Sequence, residues 1–104
     1  MTAGCAPPEG GAPVEGVDLS AQAVVEGTVL RDGRPARAFV RLLDADGEFT
    51  AEVPTGEAGT FRFFASPGTW TVRALGPRGA SGQAVVRAET GGRAAAEVVL
   101  GGGQ

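Results

Sequence analysis

The chain has no histidine, lysine, tyrosine, isoleucine or asparagine, and it carries one cysteine and one tryptophan in 104 residues. Without an imidazole or a lysine amine, a Ser/His/Asp triad, a Cys/His pair, a Schiff base, a P-loop lysine and an imidazole metal site are all excluded. One thiol can neither hold a zinc ion or iron–sulfur cluster nor close an intramolecular disulfide, so no metal and no cofactor is expected. Asp and Glu are then the only conventional general bases, and the chain reads as a non-enzymatic protein. A single Cys also fits a reducing compartment.

Positive charge is missing from one part of the chain and balanced in the other. Residues 1–21 contain Glu9, Glu15 and Asp18 and no basic residue, whereas residues 22–104 set nine arginines against nine acids, so the formal charge of −3 belongs to the N-terminal arm. A body without net charge has no field to steer a polyanion, and no nucleic-acid partner is expected. Long apolar runs are absent as well: nothing approaches the roughly 20 residues of a membrane helix, and no basic segment followed by an apolar one precedes a cleavage site. Thr2-Ala3-Gly4-Cys5 looks like the end of a lipoprotein cleavage box, but only four residues precede Cys5, too few for an apolar segment. The expected address is cytoplasmic, away from membranes.

What is present separates into two regions. Pro7, Pro8 and Pro13 with four glycines make residues 1–21 read as a flexible Gly/Pro-rich acidic arm. Residues 22–104 read as one all-β domain, because short runs of β-branched and aromatic residues alternate with Gly, Pro and Asp about every ten residues. The predicted strands cover about 23–30, 37–44, 48–54, 60–65, 69–75, 83–88 and 94–100, with turns at Asp32-Gly33, Asp46-Gly47, Thr55-Gly59, Pro67-Gly68, Pro77-Gly82 and Gly91-Gly92. That spacing predicts a small seven-stranded antiparallel β-sandwich.

Alternation of side chains predicts the inner face. Val25, Val29, Ala38, Val40, Leu42, Phe61, Phe63, Trp70, Val72 and Ala74 are expected inside, joined by Val85, Ala96 and Val98, with Trp70 as the keystone. Phe39, Leu43, Phe49 and Phe64 fall off that face. Filling both layers of the sandwich favours packing for these four, and the alternative is an exposed patch, with Phe39, Phe49 and Phe64, that docks a protein partner or forms a dimer.

Two family resemblances rest on these strands. Gly27-Thr28-Val29, Asp32-Gly33-Arg34-Pro35, Val40-Arg41-Leu42, Gly59-Thr60-Phe61-Arg62-Phe63 and Pro67-Gly68-Thr69-Trp70 resemble prealbumin-like or carboxypeptidase-regulatory-like sandwich modules, which implies a fold and no particular chemistry. The segments Phe39–Asp44, Glu48–Val53, Phe61–Ala65 and Pro67–Leu75 are similar to the SseC-like small actinobacterial proteins, a family with a domain of unknown function. That resemblance implies an association with thiosulfate sulfurtransferase genes and hence a sulfurtransferase as protein partner. Members of that family look as though they begin Met-Cys, whereas here the thiol stands at position 5.

Three sets of residues carry candidate chemistry. Cys5 is the only strong nucleophile; on a coil of 16 residues it would reach roughly 20–24 Å, enough to accept sulfane sulfur in a partner's cleft. Arg41, Arg62 and Arg73 point outward on three strands, and guanidinium forks suit sulfate, thiosulfate or carboxylate. They either converge into an anion-binding patch or pair across strands with Glu52, Glu26 or Glu97. Asp44, Asp46 and Glu48 read as a two-strand turn, not a calcium loop. The functional expectation is a non-enzymatic accessory or interaction module in sulfur metabolism, partnering a sulfurtransferase; the alternative is a sandwich module that binds a small anion or carbohydrate.

Overall fold

The computed structural model describes residues 22–102. Eight strands form two sheets: β1 (Ala23–Arg31), β2 (Arg34–Pro35), β3 (Phe39–Leu43), β4 (Phe49–Pro54), β5 (Thr60–Ala65), β6 (Gly68–Leu75), β7 (Ser81–Ala88) and β8 (Arg93–Val99). In the first sheet β1 is central, with β5 and the short β2 along one edge and β8 along the other; the second runs β4-β3-β6-β7. The domain is the two-layer all-β sandwich that the turn spacing predicts, and the arm that carries Cys5 lies outside the described residues.

The turns follow from residue type. Asp32 and Gly33 both take positive φ, 54° and 79°, as a type I′ hairpin requires, and they pair Arg31 with Arg34. Asp44 closes the β3–β4 turn through its own carboxylate, with Oδ1 accepting from the amides of Asp46 and Glu48 at 2.9 Å each. That use accounts for the acidic run as turn chemistry.

One core lies between the sheets. Val25, Val29, Phe61, Phe63 and Val98 from the first sheet meet Val40, Leu42, Val53, Val72 and Ala74 from the second. Phe61 and Phe63 sit on the same face of β5, with ring centroids 6.1 Å apart and planes tilted by 51°. Gly27 faces them from β1. A Cβ there would run into the backbone carbonyl of Ala96 and come within 2.8 Å of Phe61 Cζ, so only glycine admits both the ring and β8.

Three expectations are corrected. β8 lies parallel to β1, with Gly27 opposite Ala96, while every other strand pair is antiparallel. The chain leaves β7 at the edge of the second sheet and crosses to the first, and a Ser81–Gly101 bridge ties the two edges. Val85 is 65% exposed, because the register opposes it to outward Thr71 and turns Ala84 and Val86 inward. Two consecutive valines leave alternation without a phase. Trp70 packs only partly against the core, at its margin, and its indole N–H donates to the Ser66 carbonyl at 2.8 Å. An indole needs such a partner, which draws it to the sheet end. The buried keystones are Phe61 and Leu42.

Candidate functional site

The outer face of the second sheet is built in rows by its register. Pro54, Phe39, Leu75 and Ser81 form the first row, Glu52, Arg41, Arg73 and Gln83 the second, and Phe49, Leu43, Thr71 and Val85 the third. A polar row therefore lies between two largely apolar ones. The third row depends on an irregularity: between Leu42 and Leu43 the pairing jumps from Ala51 to Phe49. An extra residue of this kind reverses which side the following side chain faces, so Phe49 joins the outer surface. There Arg41 Cζ lies 5.9 Å from its ring centroid. Phe39 and Phe49 are 57% and 61% exposed, so packing into a second layer, the outcome favoured for them, is not what the fold does. Phe64 is half-buried on the outer face of the other sheet, opposite Val24 on β1, and shares no surface with them.

The three arginines are likewise divided. Arg41 and Arg73 are direct cross-strand partners. Arg62 stands on β5 in the other sheet, where its Nε donates to Glu26 at 3.1 Å, and Arg93 reaches the same carboxylate at 3.3 Å. A three-arginine patch is thereby ruled out, since the sandwich itself separates the two faces. Arg41 is ion-paired, its Nε donating to Glu52 Oε2 at 2.9 Å. Arg73 is exposed, and among the described residues no carboxylate pairs with it. Like charges directly opposite one another are unfavourable unless a counter-charge sits between or beside them.

Next to the first row a cavity of about 410 Å³ opens, lined by Arg37, Ala38, Phe39, Pro54, Thr55, Leu75, Gly76 and Pro77. Its base is held by Thr55, the one buried polar residue among those described. Thr55 Oγ1 accepts from the Ala38 amide at 3.0 Å and the Thr55 amide donates back to the Ala38 carbonyl at 3.0 Å. The opposite wall comes from Leu75, Gly76 and Pro77, the last of these opening the 3-10 turn Pro77–Gly79. At the rim Arg37 faces Glu57 at 4.0 Å. Sequence reasoning missed this cavity because its walls come from three separate connections, with only Phe39 flagged in advance. Among the described residues no group of three or more His, Cys, Asp or Glu side chains could hold a metal ion. Cys5 lies outside the described residues.

Fold and surface together define a small all-β sandwich domain with an exposed aromatic–arginine sheet face. The chain belongs to the family described as Protein of unknown function (DUF1416), whose model matches residues 5–100 and so includes Cys5 at its first position. An uncharacterized protein of Mycolicibacterium smegmatis is 56% identical over 66 residues, which covers 62% of this chain and 73% of that protein. Two uncharacterized proteins of Mycobacterium tuberculosis are each 53% identical over 73 residues, covering 68% of this chain and 72% of theirs.

Solved structures share the architecture at lower identity. A DUF3823 family protein from Parabacteroides merdae aligns with a TM-score of 0.60 at 15% identity over 78% of this chain, which spans 46% of that one. The dioxygenase domain of a dioxygenase carbohydrate-binding protein fusion from Streptomyces sp. SirexAA-E aligns with a TM-score of 0.60 at 14% identity, over 91% of this chain and 88% of that one. At these identities the likeness concerns the fold alone.

Proposed function

We propose that this protein is a non-enzymatic, cytoplasmic accessory module of sulfur metabolism that partners a thiosulfate sulfurtransferase and accepts sulfane sulfur on Cys5. The observation that carries this is the position of the chain's only thiol at the first residue of the family match, ahead of the sandwich domain. The resemblance of residues 39–75 to the SseC-like proteins supplies the partner class. Chemically, the Cys5 thiolate attacks the outer sulfur of the partner's persulfide, a new S–S bond forms at Cys5, and the partner's cysteine leaves as thiolate. No net oxidant or reductant is consumed. Incubating the full chain with sulfurtransferase and thiosulfate should add one sulfur atom to its intact mass, and Cys5→Ser should abolish the gain. An unchanged mass together with no complex between the two proteins would remove this function.

A second reading is favoured by a different observation, the direct opposition of Arg41 and Arg73 on an exposed sheet face. It makes the domain a small-anion-binding module. Of the ligand classes such a face could take, the guanidinium pair favours an anion over an uncharged carbohydrate.

A further inference from the structure

We propose that the cavity between Phe39 and Pro77, together with Arg73, binds a small amphipathic carboxylate: an apolar body in the cavity and its carboxylate on the Arg73 guanidinium. The inference deepens the anion-binding reading by giving the anion an apolar subsite, and it is independent of Cys5.

Four observations point to it. The cavity, at about 410 Å³, lies in the range of about 300–1,000 Å³ typical of small-molecule sites. Apart from Arg37, which faces Glu57 at the rim, its walls are largely apolar, from Phe39, Pro54, Leu75 and Pro77, and the one buried hydroxyl at its base is already engaged with the Ala38 amide. An uncharged apolar body therefore meets no unsatisfied buried side-chain polar atom at the base. Phe39 forms one wall yet is 57% exposed, and a ligand would remove that aromatic surface from water.

The fourth observation sets the charge of the ligand. Arg73 lies two residues before Leu75 on the same strand and the same face, about 6.6 Å along β6 from the cavity wall. Its cross-strand neighbour Arg41 is ion-paired with Glu52, while Arg73 has no carboxylate partner among the described residues. A carboxylate bound there would gain charge-assisted hydrogen bonds and relieve the Arg41–Arg73 opposition. The ligand class is thus an aromatic or short aliphatic group separated from a carboxylate by a few methylenes.

The test uses the full chain labelled with nitrogen-15, titrated with 4-phenylbutyrate, with the neutral 4-phenylbutanol and with inorganic sulfate, and followed by calorimetry and amide shifts. Phenylbutyrate should bind and shift the amides of Phe39, Arg73, Leu75 and Gly76. The alcohol should bind about tenfold more weakly or worse, and Arg73→Gln should weaken phenylbutyrate by a similar factor while leaving the alcohol unchanged. Phe39→Ala should weaken both. Because Arg73 is exposed and opposes Arg41, its variant should melt at or slightly above the wild-type temperature, recorded in parallel. Equal affinity for acid and alcohol, indifference to Arg73→Gln, amide shifts elsewhere, or no binding of phenylbutyrate would each overturn the proposal. Sulfate separates it from the simpler reading: sulfate binding as tight as phenylbutyrate overturns the apolar subsite and keeps the anion site, and failure of both ligands removes the two together.

Discussion

Replacing Thr55 by valine tests whether one hydroxyl holds the base of the cavity. The two side chains have nearly the same shape, so the exchange largely keeps the packing and puts a methyl group where the hydroxyl was. That oxygen accepts from the buried Ala38 amide at 3.0 Å and also lies 3.5 Å from the Ala36 carbonyl. The Ala38 N–H would be left without an acceptor, at a cost of about 1–3 kcal/mol for a buried unsatisfied donor. Taking about 2 kcal/mol, and about 4–8 °C per kcal/mol for a domain of this size, the midpoint of thermal unfolding should fall by about 8–16 °C. Circular dichroism on heating measures the fall. Thr55→Ser keeps the acceptor and loses a single methyl, so it should cost only about 1 kcal/mol. Amide exchange separates the causes: protection at Ala38 should collapse in the valine variant and persist in the serine variant. A valine variant as stable as the wild type, or one that retains protection at Ala38, would refute the role assigned to Thr55.

Two further perturbations probe the frame around the site. Gly27→Ala should destabilise by about 3 kcal/mol or more, because the added methyl meets the Ala96 carbonyl, which is backbone and cannot rotate away, as well as the Phe61 ring. Urea denaturation should show the midpoint falling, and a loss below about 0.5 kcal/mol would mean that β8 does not pack on β1 as described. Glu26→Gln removes the carboxylate shared by Arg62 and Arg93 at 3.1 and 3.3 Å, and should cost about 0.5–1.5 kcal/mol at low salt. Most of that difference should vanish in about 1 M NaCl, where screening shortens to about 3 Å, and a salt-independent loss would point to packing instead.

The strands were legible because the chain punctuates them. Asp32-Gly33 can form a two-residue hairpin of the primed type, and Pro67-Gly68 and Gly91-Gly92 stop their neighbours as clearly. Alternation identified the inner residues wherever a polar residue stood between apolar ones, as in Phe61-Arg62-Phe63, with Arg62 outward and both rings buried. It failed at Val85-Val86, where both positions are apolar and only pairing with β6 settles which turns inward. It also said nothing of the direction of β8. A parallel partner for β1 requires the chain to change sheets after β7, and no local residue pattern encodes which edge a terminal strand will join.

The same limit governs the candidate site. Arg41, Arg62 and Arg73 are equivalent in sequence, each outward on a strand between apolar neighbours, yet Arg41 and Arg73 become opposing residues while Arg62 goes to the far sheet with Glu26. What differs among them is strand order, and strand order is set by the core. Val40, Leu42, Val72 and Ala74 alternate with Arg41 and Arg73, so burying the first four brings the two guanidiniums side by side on the opposite surface. The opposition of like charges is then a consequence of packing that the fold sustains, with Glu52 offsetting one of the two. The core fixes the backbone of both arginines beside the apolar cavity, while the exposed Arg73 side chain, with no carboxylate partner among the described residues, keeps its rotamer freedom. A bound carboxylate has to offset the ordering of that one side chain, about 0.5–1.5 kcal/mol, and the charge-assisted hydrogen bonds it makes with the guanidinium are the term that does so, because the backbone beneath them is already set.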